Sequence, residues 1–251
     1  MKLNVIRLAE TASTSAVLRD MLSDAPHSTV VTTRRQTAGR GQRGNSWESE
    51  PGKNLTFSVL VRPRHIMARD AFVISAAVAN AIYDFTLRMR PGADVSVKWP
   101  NDIYLGDGKL CGVLIENTLE GARVASSIIG TGYNVLQERF LSDAPNPVSL
   151  GAVDGLTLDE METRLCGMIV EAVERAEDPE AHADILATFN SRLYRRDGRE
   201  HPFREPGGEP FMARVEGTEP SGHLLLSVAG EAAPRRYAFK EVEHIVPVRP
   251  R

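Results

Sequence analysis

Cysteine is scarce. The 251 residues hold two, Cys111 and Cys166, too far apart and too isolated to make metal-ligand spacing, so no zinc site is expected and reduced thiols in a cytoplasm are the expected state. A basic excess is also missing: Lys and Arg number 30 against 33 Asp and Glu, a formal charge of -3, which argues against a general nucleic-acid or membrane-surface binder. No apolar run reads as transmembrane in length, and Met1 to Glu10 carry Lys2 and Arg7 with no long apolar stretch, so a soluble, unexported chain is expected. Internal repeats and low-complexity tracts are absent too. One local absence says more than these. No Asp or Glu occurs between Asp24 and Glu48, while Arg34, Arg35, Arg40 and Arg43 all do. Their positive field is expected to go locally uncancelled and to suit a phosphate or carboxylate.

What is present in that stretch is Gln36-Thr37-Ala38-Gly39-Arg40-Gly41-Gln42-Arg43-Gly44-Asn45-Ser46-Trp47. Three glycines clear side chains where backbone must come close to something, and two arginines and an aromatic sit among them, a pattern that reads as a wrap around a small anionic ligand. The segment spells G-x-G-x-x-G, but a dinucleotide fingerprint needs a strand before it and a helix opening after it. Asn45-Ser46-Trp47 and Pro51-Gly52 open no helix. A kinase glycine loop does lie between strands, yet V-A-I-K, H-R-D and D-F-G are missing downstream. Alone, the segment would read as a surface turn.

The rest of the chain alternates short elements. Asn4 to Leu8 reads as a strand, and Ser13 as the cap of a helix through Leu22. Thr29 to Thr33 and Leu55 to Val61 read as strands on either side of the glycine segment. Pro63 to Arg90 reads as a helix with two adjoining apolar stripes. Val95 to Trp99, Ile103 to Leu105, Leu110 to Glu116 and Ala125 to Ile129 read as strands, with Gly106-Asp107-Gly108 a hairpin turn. Thr157 and Glu160 form a capping-box pattern before a helix, a second helix fits Ala181 to Leu193, and Pro145-Asn146-Pro147 reads as an irregular loop. After residue 197 short strands broken by glycines suggest a small β-barrel-like module. The expectation is an α+β protein with a mixed, largely antiparallel sheet and helices packed on it, in two domains, 1–197 and 198–251.

Four blocks in order carry a resemblance: Gln36 to Gly44 followed by Trp47; Lys98-Trp99-Pro100-Asn101-Asp102; Lys109 to Glu116; and Gly130-Thr131-Gly132-Tyr133-Asn134-Val135. With them the chain resembles the biotin protein ligases, in the form without an N-terminal DNA-binding domain. Ala238 to Val242 is similar to that family's small SH3-like C-terminal β-barrel, and the catalytic fold implied is that of the class II synthetase-like biotin and lipoate ligases. The implied reaction joins the carboxylate of biotin to the α-phosphate of ATP, with Mg²⁺, and then passes the biotinyl group to a lysine of a biotin carboxyl carrier protein. Lys98 and Arg40 are the implied catalytic residues. Biotin recognition is implied for Ser13, Thr14, Ser15, Gln36, Gly39, Arg40, Gly41, Gln42, Lys98, Gly112 and Gly132, and nucleotide binding for Arg43, Trp47, Asn101, Lys109 and Asn134. No resident metal, nucleic acid or membrane is expected, and a homodimer stays among the expected assemblies.

The side chains suit that chemistry. Two anions must approach and charge builds on phosphoryl oxygens, so fixed cations matter most. Hydroxyls and an amide can pair the donors and acceptor of a ureido group. Cys111 has no adjacent histidine and reads as a small buried core residue rather than a nucleophile. Ser15 stands where asparagine is common, and Gln42 where some bacterial members carry arginine. A lipoate ligase or octanoyltransferase of the same superfamily is the alternative, disfavoured by the Gly39 to Gly44 loop and the C-terminal module. A non-enzymatic binding protein is the second alternative.

Overall fold

The computed structural model describes residues 2–41, 45–141 and 146–247. Two sheets organise the chain. The larger has seven strands, β1 (Asn4–Thr11), β2 (Thr29–Gln36), β3 (Asn54–Val61), β4 (Val95–Lys98), β5 (Asp102–Leu105), β6 (Gly108–Glu120) and β7 (Arg123–Asn134), in the spatial order β1-β2-β3-β7-β6-β5-β4. Only β1 and β2 run parallel; every other pairing is antiparallel. The parallel step needs a crossover, which α1 (Thr14–Asp20) supplies.

The central strand β3, Asn-Leu-Thr-Phe-Ser-Val-Leu-Val, is buried along its whole length. Leu55, Phe57, Val59 and Val61 join the main core. The residues between them alternate to the opposite face and include Thr56 and Ser58. That second face is where the cleft described below opens. Against the core face pack α2 (Phe72–Met89) and α3 (Leu158–Arg175), with α4 (His182–Ser191) on α2. The α3 start is the capping box read in the sequence: Thr157 accepts from the Glu160 amide, and Glu160 returns to the Thr157 amide.

Several boundaries differ from the sequence reading. The helix expected from Pro63 begins at Phe72. Met67 is extended and bridges to Arg123, and only a short 3-10 turn, Ala68–Asp70, precedes α2. Tertiary pairing thus holds 63–67 out of the helix. The span Ala68–Met89 is by length and composition long and apolar enough to cross a membrane, contrary to the reading that no stretch is. Its apolar residues are taken instead by the sheet, α3 and α4, which is why both stripes are buried apart from partly exposed Phe72, Tyr83 and Met89. The hairpin strands β6 and β7 run several residues longer than their apolar cores, out to a turn at Gly121.

The second sheet holds β8 (His201–Arg204), β9 (Pro210–Thr218), β10 (Leu224–Val228), β11 (Arg235–Tyr237) and β12 (Glu243–His244), all antiparallel, ordered β11-β10-β9-β8-β12. Among the described residues no pairing closes β11 onto β12 into a ring. Phe203, Ala213, Val215, Leu224 and Leu226 of this sheet belong to the same contiguous buried cluster as the large sheet and its helices. The small module is therefore seated on the main core rather than tethered to it.

Candidate active site

A cleft of about 990 Å³ opens on the polar face of β3, between the glycine loop, the ends of β4 to β7 and the β12 edge of the C-terminal sheet. Its floor comes from the strand register. Gly112 of β6 lies opposite Gly132 of β7, and on β3 Thr56 and Ser58 lie opposite Gly132 and Gly130. Residues two apart on a strand share a face, so Gly112, Gly130 and Gly132 form one bare patch. A methyl group on Gly132 would stand 2.2 Å from the Trp47 indole nitrogen, and one on Gly112 2.6 Å from Trp47 Cζ3. The indole lies directly on the patch. One on Gly130 would stand 2.7 Å from the Ser15 hydroxyl.

At one end the groups are neutral and hydrogen-bonded to each other. Ser13 caps α1 by accepting from the Ala16 amide at 3.4 Å and also lines the cleft, so cap and wall are one residue. The Thr14 hydroxyl lies 2.7 Å and the Ser15 hydroxyl 2.9 Å from the Ser58 hydroxyl, all three buried. Gln36, the last residue of β2, accepts the Thr14 amide on Oε1 at 3.0 Å, which fixes the orientation of its amide.

At the other end the groups are charged. Lys98 ends β4, Asp102 opens β5, and the two are register partners across the Trp99-Pro100-Asn101 turn. Lys109 Nζ is 2.6 Å from Asp102 Oδ2. Lys98 Nζ lies 5.7 Å from the centre of the Tyr104 ring and Lys109 Nζ 5.8 Å from that of Trp47. Burial pushes the Lys98 ammonium below its ordinary pKa; Asp102 opposes that shift, Lys109 adds to it, Glu243 opposes and Arg195 adds. The protein's own groups leave this cation under-compensated, so an incoming anion gains from it.

Of the residues expected from the sequence, Ser13, Thr14, Ser15, Gln36, Arg40, Gly41, Trp47, Lys98, Lys109, Gly112 and Gly132 all line this one cleft. Gly39 lies behind the wall, its carbonyl accepting the Trp47 amide and a methyl group on it meeting the Trp47 carbonyl at 2.4 Å. Asn101 turns away, donating to Ser75 on α2 and lining a smaller neighbouring depression. Asn134 donates to the Val148 carbonyl and holds the segment after residue 146. Gln42 and Arg43 lie outside the described residues, as do Gly44 and Pro145. The uncancelled arginine field needs correction. Arg34 pairs with Asp159 and Arg35 with Glu10, so acids distant in sequence neutralise two of the four, and of the three described, Arg40 lines the cleft.

Sequence reasoning missed Ser58, Gly130, Asp102 and the wall given by the C-terminal module, where Phe239, Val242, Glu243 and His244 line the cleft. The His244 ring packs at 4.6 Å on Phe203 and 5.7 Å on Tyr194, and burial holds its pKa well below the ordinary value. Asn54, Thr56 and Ser58 spaced two apart in an otherwise apolar strand were the available signal for a second, polar face.

Comparison with known proteins agrees with this arrangement. The chain is 32% identical over 238 residues to the biotin--[acetyl-CoA-carboxylase] ligase of Paracoccus denitrificans, covering 87% of this chain and 92% of the relative. It is 35% identical over 237 residues to the bifunctional ligase/repressor BirA of Salmonella typhimurium, covering 92% of this chain and 72% of that one. The fold matches the biotin protein ligase of Aquifex aeolicus solved in complex with biotin and ATP, at a TM-score of 0.73 and 24% identity over 96% of this chain and 99% of that one. Residues 6–134, which carry the hydroxyl end, the glycine loop, Lys98, Lys109 and the glycine floor, match the biotin/lipoate A/B protein ligase family, and the chain is a member of it.

Proposed function

We infer that this protein is an ATP-dependent ligase that condenses biotin with ATP to biotinyl-5′-AMP and passes the biotinyl group to a lysine of a biotin carboxyl carrier protein. The observation that carries the reading is one cleft with a neutral, hydroxyl-lined end and a cationic end joined by a bare glycine floor. A ureido ring needs donors and acceptors without charge; a carboxylate meeting a phosphate needs cations. The glycine floor, which the Trp47 indole occupies here, would let an extended acyl chain run between them once that ring swings aside. Trp47, which covers that floor, would then stack on the acyl chain or the nucleotide.

In the first step a carboxylate oxygen attacks the α-phosphorus and pyrophosphate leaves. Lys98, under-compensated in the cleft, belongs at that junction, with Arg40 from the loop side and Lys109 held in place by Asp102. In the second, the carrier amine attacks the acyl carbon and AMP leaves, its phosphate facing the same cations. Among the described residues no group of three potential metal ligands comes together. Among the described residues Asp102 and Glu243 are the carboxylates of the cleft, and Asp102 is engaged by Lys109. That set fits a magnesium ion that arrives with the nucleotide and is held mainly by phosphate oxygens, supplying charge neutralisation there.

Residues 1–197 would form the catalytic domain and 198–251 the module that walls it. Both cysteines are free and buried, which suits a cytoplasmic setting. Incubation with ATP, Mg²⁺, biotin and a carrier domain should raise the carrier mass by one biotinyl group. No increase with biotin, but modification by lipoate or an octanoyl donor, would move the chain to the sister acyltransferases and overturn the ureido assignment of the hydroxyl end.

A further inference from the structure

Lys98 sits between two residues that are each tied to other parts of the fold. On one side the Val97 amide donates to the Arg192 carbonyl and the Val97 carbonyl accepts from the Tyr194 amide, both at 2.8 Å. Arg192 is itself fixed to α2, donating to the Asn80 carbonyl and to Asp84. On the other side is Trp99, 6% exposed, and its ties run to the C-terminal module. Its indole N–H donates to the Gly222 carbonyl at 2.9 Å, and its ring meets the edge of Phe239 at 5.7 Å.

The acceptor is held firmly. Gly222 lies in the β9–β10 connection at φ +89°, donates its amide to the Glu219 carbonyl, and lies so close to Phe72 at the start of α2 that a methyl group there would stand 2.6 Å from that ring. The turn is wedged between α2 and the Trp99 ring. A Trp99 ring free of this partner would leave a buried N–H unpaired, which the fold avoids only while the module is seated. We propose that Trp99 is a positioning residue through which the C-terminal module sets the place of the Lys98 side chain in the cleft. The inference rests on Lys98 standing at the reacting centre, and it makes the module a working part of the adenylation step rather than a wall alone.

Trp99→Phe keeps an aromatic ring for Phe239 and removes the N–H. Two quantities are compared with the parent at a temperature well below unfolding: the pH dependence of Lys98 acylation by a small amine-reactive reagent, read on the Lys98 peptide by mass spectrometry, and biotin-dependent exchange of labelled pyrophosphate into ATP. Asp102, Lys109, Glu243, Arg195, Tyr104 and His244 all face Lys98 and none is substituted, so a shift reports a change in where the ammonium lies relative to them, Glu243 and His244 of the module included, and how deeply it is buried. The expected result is a Lys98 titration moved up toward that of an ordinary lysine, with kcat for exchange lowered about tenfold and KM for biotin little changed, the size expected for one lost hydrogen bond. An unshifted Lys98 overturns the proposal, whether or not kcat falls, because the indole would then act only on stability. A shifted Lys98 with undiminished exchange keeps the positioning and overturns the catalytic role of Lys98 instead. If the Phe variant does not fold, Phe239→Leu weakens the same link from the module side, and the same two results decide.

Discussion

At the hydroxyl end of the cleft, Thr14, Ser15 and Ser58 are buried and bonded to one another, and Gln36 is locked by the Thr14 amide. At the cationic end, Lys109 is paired with Asp102 but Lys98 is buried without enough negative charge beside it. The first end is satisfied by the protein itself and the second is not. A neutral network of this kind costs little to keep and recognises shape and donor pattern. An under-compensated ammonium is costly to keep, and that cost is returned when an anion arrives, most of all one whose charge grows during reaction. Binding specificity and rate should therefore separate between the two ends under mutation.

The largest break in that comparison is at Lys98. Lys98→Ala should lower kcat/KM for biotin-dependent pyrophosphate exchange by about a thousandfold or more, on the order of 4 kcal/mol, as for loss of a group that stabilises developing charge. The pH profile carries the same signature. With its pKa lowered, Lys98 loses its proton earlier than an ordinary lysine as pH rises, so the parent rate should fall on the alkaline side and the Ala variant should lack that limb. Stability should move the opposite way. Between the lowered folded pKa and the ordinary unfolded value, the unfolded chain binds more protons, so stability rises with pH there. Below that window the charged Lys98 opposes folding. Lys98→Met should therefore raise the Tm at neutral pH while abolishing activity, and a lowered Tm would mean that the ammonium is not under-compensated after all.

This contrast also marks what a sequence can and cannot disclose. Lys98, Lys109, Gly112 and Gly132 were singled out because each lies in a short block that resembles the biotin protein ligases, and all four line the cleft. Strand identities and the mixed sheet were legible from β-branched runs and turn glycines, and the α3 start from Thr157 and Glu160. Ser58 was not, because it sits in a strand whose apolar residues dominate, and its partners Thr14 and Ser15 are more than forty residues away. Arg34 and Arg35 looked free because Asp159 and Glu10 are remote from them in the chain. The late start of α2 depends on the Met67–Arg123 bridge, another contact that local propensity does not contain.

Ser58 tests the other end with a smaller effect. Ser58→Ala removes the hydroxyl that both Thr14 and Ser15 meet and leaves them to reorient. KM for biotin should rise about tenfold, roughly 1–1.5 kcal/mol, with kcat nearly unchanged, the pattern of lost uniform binding. Ser58→Thr should recover part of the loss if the strand admits the extra methyl. Steady-state exchange at varied biotin separates the two constants. A fall in kcat without a change in KM would show that the hydroxyl end takes part in the chemistry and would erase the division of labour.

The smallest effect belongs between the two ends, at Cys111. It lies on β6 next to Gly112 but faces the core, fully buried, with Ile103 and Tyr133 as its register partners. Burial pushes its thiol well above the ordinary pKa, so the thiolate a nucleophile would need is not formed at neutral pH. Cys111→Ala should leave kcat and KM within twofold of the parent and cost about 1 kcal/mol of stability for the lost packing. Loss of activity in a variant with an unchanged unfolding midpoint would place a reacting group on the core face of β6. The floor of the cleft would then have to be read as two-sided.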